Sequence, residues 1–327
     1  MMNVLRLDQN TARAVLEAVS HFEREFSYPL GGSMRFSISH GADYCLFYKS
    51  LGDSATFVID RKGVILGAVS VSVRNLACTG RRLRSAYVGD LKLLPEARKG
   101  FNLLRLVGAA ESWVRSHHSD VQSAFGVVMD GTESTPDGYT GRAGIPPLQT
   151  GGHLSIFCLD LSEPVQAGQG KKLVQLSLAD DKFTATFAKL SRDSFVIESG
   201  QTAMRSRMAP LYLVATDGAA CGCLEDTYEA KNLLLDNGGL LKAAHLTRFA
   251  FSSPQAGLDL VHIAAGEARF RGYEYLFFAL DTKIASAFEK ELGCSLNGGA
   301  CGATIFASES LCDESKYYPW LMSTSEV

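Results

Sequence analysis

The sequence lacks crowded cysteines. Its eight cysteines are spread over 327 residues without a CxxC pair, which excludes a disulfide-stapled small domain and a zinc site with closely spaced ligand pairs. Cys221 and Cys223 form the one close pair, and alternate positions on a strand share a face. We therefore expect two small buried hydrophobic side chains there rather than a metal or redox site.

Targeting signals, membrane spans and strong net charge are also missing. The first residues lack the basic and apolar segments of a secretory signal, and no apolar run approaches the ~20 residues that cross a bilayer. The 32 basic and 35 acidic residues leave a net charge of −3, which is not the polycationic balance of a nucleic-acid-binding domain. We expect a cytoplasmic protein with neither a nucleic-acid nor a membrane partner.

What is present is the composition of a globular protein. Apolar residues make up 46% of the chain and charged residues 20%, enough to build a sizeable core. The length suits two domains of roughly 150 residues each.

One order of predicted elements occurs twice along the chain. It runs helix, hairpin, strand, helix, strand and, after a turn or helix, a last strand, and it gives a mixed α/β fold. Pro95 and Pro254 end equivalent strands, and the other equivalent residues keep a similar separation. This pattern indicates a duplication with small loop deletions. Residues 160–172, DLSEPVQAGQGKK, have the Pro and Gly content of a linker, so the predicted domains are 1–160 and 173–327.

Common catalytic motifs are absent. The chain has no P-loop, no HExxH and no GxSxG motif, and its seven histidines show no ligand spacing on an evident helix face. We therefore predict no metal site.

The segment Tyr87–Leu104 carries the chemistry that the sequence does show. It reads YVGDLKLLPEARKGFNLL and passes from a strand, through a loop with Arg98, Lys99 and Gly100, directly into a helix. Backbone N–H groups at a positive helix end, together with basic side chains, can hold a pyrophosphate. The alternative interpretation is a simple turn whose basic side chains are only solvated.

This segment resembles the GNAT superfamily of acyl-CoA N-acyltransferases. The run from Asp90 to Arg98, DLKLLPEAR, is similar to that family's fourth strand, Asp-Leu-x-Val-x-Pro, which leads into the pyrophosphate loop R/Q-x-x-G-x-G/A. Here Gly100 comes early and the second glycine is missing, which predicts a reshaped loop. The resemblance implies two tandem GNAT-like domains, each a central mixed sheet flanked by helices.

The resemblance also implies site residues in the N-terminal domain. Asp90 takes a proton from the acceptor amine, directly or through water, and Tyr139 protonates the leaving thiolate. The residues expected to bind coenzyme A, through its pantetheine and its pyrophosphate, are Leu93, Leu94, Arg98, Lys99, Gly100, Phe101 and Asn102. The implied co-substrate is acetyl-CoA or another acyl-CoA, without a metal.

The second half departs from this pattern. Its strand-to-helix turn has no Arg or Lys and carries Asp259, and Phe288 stands where the first half has Tyr139. We therefore expect the second half to complete the cleft without catalysing.

The predicted function is transfer of an acyl group, most simply acetyl, from coenzyme A to a small-molecule or peptide amine. One alternative is a catalytically degenerate module that senses acyl-CoA or binds a protein, which the missing glycine favours. Another is transfer of an aminoacyl or long acyl group on the same double fold.

Overall fold

The computed structural model describes residues 3–31, 34–132, 135–142, 145–163, 173–176, 181–292 and 300–327. The described strands are β1 (Asn3–Leu7), β2 (Tyr28–Gly31), β3 (Met34–Ser39), β4 (Ser54–Arg61), β5 (Val64–Cys78), β6 (Arg81–Leu93), β7 (Ala124–Met129), β8 (Gln149–Asp160), β9 (Leu173–Leu176), β10 (Phe195–Ile197), β11 (Leu211–Ala215), β12 (Ala220–Glu225), β13 (Asn232–Leu235), β14 (Ala243–Phe251), β15 (Tyr275–Asp281), β16 (Cys301–Ala307) and β17 (Trp320–Leu321). The described α-helices are α1 (Arg13–Glu23), α2 (Cys45–Leu51), α3 (Asn102–His117), α4 (Asp181–Leu190), α5 (Thr202–Arg205), α6 (Pro254–Phe270), α7 (Thr282–Leu292) and α8 (Glu309–Ser315).

Both halves contribute to one large mixed sheet. Its main strand order is β1-β4-β5-β6-β7-β16-β8-β15-β14-β12-β11-β9. The strand β16 of the second half lies between β7 and β8 and is antiparallel to both. The last strand of the first half, β8, pairs in turn with β15. Each half is therefore closed by a strand of the other.

The predicted duplication is visible in the backbone. In the first half β6 is parallel to β7, and in the second β14 is parallel to β15. Each of the two strands that precede the long helix has a bulge with one residue at positive φ, Asp90 (48°) in β6 and Arg248 (45°) in β14. A non-glycine residue at positive φ is uncommon, so its recurrence at equivalent places supports the repeat. The mixed α/β fold is confirmed.

Amphipathic helices build the core of each half. The apolar face of α3 places Leu106 and Ala110 against β4 and β5. In the second half α6 does the same with Leu260 and Ala264 against β12 and β14. Full burial of such a leucine contributes roughly 1.5–3 kcal/mol.

A small second sheet joins the halves above the large one. It has the order β13-β3-β2, so that β13 of the second half pairs with the β2–β3 hairpin of the first. None of these three strands was predicted, because each is short and β13 pairs with a strand that is distant in sequence.

Other expectations have mixed outcomes. Cys221 and Cys223 are fully buried in one apolar cluster, and burial raises the pKa of both thiols to about 12, as expected for inert side chains. Most of the predicted linker 160–172 lies outside the described residues. None of the helices in the described ranges has the length and apolarity needed to cross a bilayer.

Candidate active site

A gap opens in the large sheet where β6 and β7 diverge. The two strands pair only at Ala86–Ala124 and Tyr87–Phe125, although β6 stays paired with β5 as far as Leu93. Just past the last pair, Gly126 lies so close to β6 that a Cβ would be 2.8 Å from the Val88 carbonyl oxygen. Glycine thus permits the close approach from which the strands separate.

A cavity of about 1280 Å³ passes through this gap. On one face of the sheet it is lined by α3 side chains such as Val107 and Val114. On the other face it lies under the small sheet, between Phe36 and Phe277. One cavity can therefore receive one ligand from each face of the sheet, with their reacting ends meeting in the gap.

The bulge in β6 directs a carboxylate into this region. Asp90 and Leu91 together lie opposite Val69 of β5, and a bulge of this kind re-aims a side chain. Asp90 is 7% exposed, accepts a hydrogen bond from the Tyr44 hydroxyl at 2.8 Å and pairs with Lys92 at 2.6 Å. Burial alone raises the pKa of the Asp90 carboxyl, but the charges of Lys92 and His40 outweigh it and hold that pKa well below its usual value. Asp90 is therefore ionised.

A buried histidine and glutamate pack against this carboxylate. His40 Nδ1 lies 2.5 Å from Glu23 Oε1 and 3.7 Å from Asp90 Oδ2. The short contact between His40 Nδ1 and Glu23 Oε1 fixes the orientation of the imidazole ring. His40, but not Glu23, is among the described residues that line the cavity. Glu23 therefore orients a histidine that faces the ligand space.

The same three residues have the spacing of a cation site. Their ligand atoms all lie within 4.8 Å of one another. The Lys92 ammonium group, however, already supplies positive charge next to Asp90. The geometry thus favours a charge-balanced hydrogen-bonded cluster over a metal centre.

The second half contributes two polar groups to the cavity, Lys231 and His245. The Lys231 ammonium nitrogen contacts the main-chain oxygen of Val327 and lies 4.5 Å from the Phe47 ring centre. His245 Nδ1 is bonded to the Thr324 hydroxyl at 2.9 Å. Burial, with the charges of Lys231 and Arg205, lowers the pKa of His245 well below its usual value, so the ring is neutral. The sequence analysis missed both residues, because neither lies in a motif.

The predicted coenzyme-binding residues divide into two groups. Leu93, Leu94 and Arg98 line the cavity. The remaining four form the loop and the start of α3, namely Lys99, Gly100, Phe101 and Asn102.

The loop is closed by a side chain rather than by a second glycine. Asn102 is buried and donates hydrogen bonds to the carbonyls of Ala97 (3.0 Å) and Lys99 (3.5 Å). Gly100 adopts a φ of +83°, which a glycine accepts without strain, and Phe101 is 71% exposed. Asn102 thus fixes the reshaped loop ahead of α3, and Arg98, Lys99 and Gly100 are left at the surface.

Tyr139 lies on the cavity wall at the end of a short 3-10 turn, Pro136–Gly138. Burial, with the nearby charge of Asp137, raises the pKa of its phenol to about 12. The hydroxyl is therefore protonated at neutral pH. Residues 133–134 and 143–144 of this segment lie outside the described residues.

The equivalent gap in the second half is filled with aromatic rings. β14 and β15 pair only over Ala243–His245 with Tyr275–Phe277. Beyond this, the fully buried Phe288 packs against four rings, which belong to Phe157, Phe249, Phe251 and Phe278. A Cβ at Gly257, in the first turn of α6, would lie 2.7 Å from the Phe288 ring. These rings occupy the space that corresponds to the first-half cavity.

Comparison with known proteins identifies the fold. No protein-family model matches the sequence, and no curated protein matches it significantly. Among solved structures, N-myristoyltransferase of Saccharomyces cerevisiae with bound myristoyl-CoA aligns over 94% of this chain and 82% of its own, with 11% identity and a TM-score of 0.60. A tandem GNAT protein of the clavulanic acid biosynthesis pathway aligns over 94% of this chain and 98% of its own (12% identity, TM-score 0.56). A probable N-acyltransferase from Enterococcus faecalis aligns over 94% of this chain and 72% of its own (8% identity, TM-score 0.53). The predicted tandem GNAT fold is thereby confirmed: this chain has the architecture of the GNAT-type N-acyltransferases.

Proposed function

We propose that the protein transfers an acyl group from coenzyme A to a primary amine in the gap between β6 and β7. The observation that carries the proposal is the cavity at this gap, which is lined both by residues of α3 and by residues of the small sheet. The acyl-CoA enters from the α3 face, and the amine enters from the face under the small sheet. The reaction requires that the two meet in a near-attack geometry.

The donor is held by β6 and the start of α3. Main-chain groups of Leu93 and Leu94 pair with the pantetheine, and the pyrophosphate lies at the loop with Arg98, Lys99 and Gly100. Phe101 and Asn102 complete the loop, the latter through its hydrogen bonds to Ala97 and Lys99. The positive end of a 16-residue helix supports an anion there.

Two groups in the cavity have the protonation states that the transfer requires. Asp90 is ionised, as an acceptor of the amine proton must be, and Tyr139 is protonated, as a donor to the thiolate must be. The charge of Lys92 lowers the basicity of Asp90, and we propose that Asp90 accepts the amine proton directly or through water. We therefore propose Asp90 and Tyr139 as the proton-transfer residues.

Acetyl-CoA is the proposed donor and a small-molecule or peptide amine the proposed acceptor. Titration calorimetry of the full chain with acetyl-CoA and, separately, with myristoyl-CoA measures the donor preference. We expect acetyl-CoA to bind with micromolar affinity and Arg98→Glu to weaken it at least ten-fold, because the new carboxylate repels the pyrophosphate.

The control is Arg192→Glu, which makes the same charge change at an exposed turn of the second half and should bind as the wild type does. Release of free coenzyme A thiol in the presence of a panel of amines then measures turnover. Binding without turnover would favour a sensor of acyl-CoA, and no binding of either donor would contradict the proposal.

A further inference from the structure

Two protons must leave the acceptor nitrogen, and they differ in acidity. An alkylamine has a pKa near that of lysine, ~10.4, so at neutral pH it arrives as an ammonium ion without a lone pair. One proton must therefore leave before the attack and the other after the C–N bond has formed. The nitrogen of the tetrahedral intermediate is far more acidic than the free ammonium ion, so a weak base such as Asp90 suits the second transfer.

Asp90 is poorly suited to the first transfer. Its Oδ1 pairs with the Lys92 ammonium group at 2.6 Å, and its Oδ2 accepts a hydrogen bond from the Tyr44 hydroxyl at 2.8 Å. Burial raises the pKa of Asp90, but the neighbouring charges and hydrogen bonds outweigh burial and hold that pKa below its usual value. An ammonium ion requires a stronger base.

His40 lies beside Asp90 on the acceptor side of the gap. It follows β3, is 2% exposed and lines the cavity. Its backbone N–H and its Nδ1 both contact the Glu23 carboxylate, and Nδ1 lies 2.5 Å from Oε1. No described residue forms a hydrogen bond with its Nε2, so this nitrogen remains for a ligand.

Aromatic rings hold the imidazole in place. The ring centroid of Tyr44 lies 4.7 Å from that of His40, and the ring centroid of Phe47 lies 5.4 Å away. Burial raises the pKa of the Tyr44 and Tyr48 phenols well above its usual value, so both are neutral. The charged and titratable side chains that surround His40 are Glu23 of α1, Tyr44 and Tyr48 at α2, Asp90 and Lys92 of β6 and, against the Phe47 ring, Lys231 of the second half.

The buried carboxylates next to His40 favour its protonated form. The ligand atoms of Glu23, His40 and Asp90 all lie within 4.8 Å of one another. Among the described lysines and arginines, only Lys92 pairs with either carboxylate, since the Lys231 nitrogen contacts Val327 instead. With both carboxylates ionised, Lys92 balances one of them and the other is left for an imidazolium ion to balance.

We propose that His40 is the base that takes the first proton from the acceptor ammonium ion, and that Glu23 is its positioning residue. This inference rests on the proposed function, which brings the acceptor to this side of the gap. With Nδ1 bonded to Glu23, Nε2 accepts the proton and the acceptor becomes a neutral amine. The total charge of the cluster stays the same, because one positive charge moves from the ligand to the imidazole.

The remaining steps balance atoms and charge. The neutral amine attacks the thioester carbonyl carbon, and its second proton goes to Asp90 directly or through water. The C–S bond breaks, and coenzyme A leaves as the free thiol with the proton of Tyr139. Asp90 returns its proton to Tyr139 through water, and His40 releases the other proton to solvent as the one net proton of the reaction.

The pH dependence of turnover tests this assignment, with the amine of the panel that is acylated fastest. We expect the wild-type kcat/KM, on total amine, to stay level from neutral pH up to the pKa of the amine. His40→Gln keeps a hydrogen-bonding group next to Glu23 but has no basic nitrogen, so only free amine reacts. Its kcat/KM should be roughly 10²–10⁴-fold lower at neutral pH and should rise about ten-fold per pH unit until the amine is neutral.

A less basic acceptor gives an independent readout. The fluorinated analogue of the same amine is largely neutral at the pH of the assay, so His40→Gln should use it at nearly the wild-type rate. Glu23→Gln should show the same pattern with a smaller loss. The matched control is His21→Gln, at an exposed histidine of α1 that does not line the cavity, which should behave as the wild type does.

Calorimetry with acetyl-CoA establishes that each variant is folded and binds the donor. Three results would overturn the inference and leave the proposed function intact: full activity of His40→Gln, a loss that is the same at every pH, or an equal loss with both acceptors. A wild-type kcat/KM that itself rises about ten-fold per pH unit would also overturn it, whether or not His40→Gln folds. Donor binding without turnover of any amine would contradict the inference and the proposed function together.

Discussion

At the scale of single residues, the site is defined by which polar groups are paired. Asp90 and Lys92 are two positions apart on one strand, but the bulge at Asp90 interrupts the regular alternation of side chains, so their contact could not be predicted from period alone. Their contact with Glu23 and His40 could not be predicted either, because α1 and β3 reach the bulge only through the tertiary fold. The same is true of Lys231, whose partner Val327 is nearly a hundred positions away.

Tyr139 gives the cleanest test of the proton-transfer residues. Asp90→Asn would leave the buried Lys92 ammonium without its counter-charge, which costs stability as well as activity. Tyr139→Phe removes only a hydroxyl. We expect acetyl-CoA to bind as before and the rate of thiol release with an accepted amine to fall roughly 10²–10⁴-fold. An unchanged rate would exclude Tyr139 as the acid.

A buried ion network makes the stability depend on pH. Glu326 accepts from Arg74 at 2.6 Å and lies 3.0 Å from Arg205. Burial raises the pKa of the Glu326 carboxyl, but the two guanidinium groups outweigh it and lower that pKa from 4.5 to about 2. A lowered folded-state pKa stabilises the fold above pH 4.5, and this stabilisation is lost as the pH falls from 4.5 towards 2.

We therefore expect Glu326→Gln to lose about 3–5 kcal/mol at neutral pH, because it leaves Arg74 buried without its counter-charge. Urea unfolding at neutral and acidic pH measures this difference. The stability difference between the wild type and the variant should shrink as the pH falls from 4.5 towards 2. A difference that does not depend on pH would mean that the carboxylate charge has no part in it.

At the scale of elements, the sequence predicted the strand β6, the helix α3 and the loop between them. The periodicity of the apolar residues indicates the strand and the helix, and the position of Pro95 indicates where the strand ends. It also predicted that the second half is degenerate, from Asp259 and the lack of basic residues. The structure adds a further physical reason, since the ring of Phe288 fills the gap between β14 and β15. An alternation of apolar residues does not reveal which of them will fill a gap.

The bulges belong to this scale too. Asp90 and Arg248 occupy equivalent backbone positions, but the first carries a carboxylate into the cavity and the second a guanidinium that lies over Phe183 and Tyr212. Equivalent backbone positions of the two halves thus carry side chains of opposite charge.

At the scale of the molecule, exchange of β8 and β16 makes the two halves one sheet. The sequence indicated two successive domains, because element order is read along the chain. It contains no local signal for which strand a given strand will pair with, and β7–β16 pairing joins residues more than 170 positions apart. Both halves contribute to the cavity wall, since Lys231 and His245 lie in the second.

The central claim is that acyl-CoA binds in the first gap and not in the second. Hydrogen–deuterium exchange of the full chain, with and without acetyl-CoA, tests it most directly. We predict slower exchange in β6, in the loop 95–101 and in the first turn of α3, with no change in β14 or the first turn of α6. Protection of the β14–α6 turn, or no protection at either turn in the presence of saturating acetyl-CoA, would contradict the account.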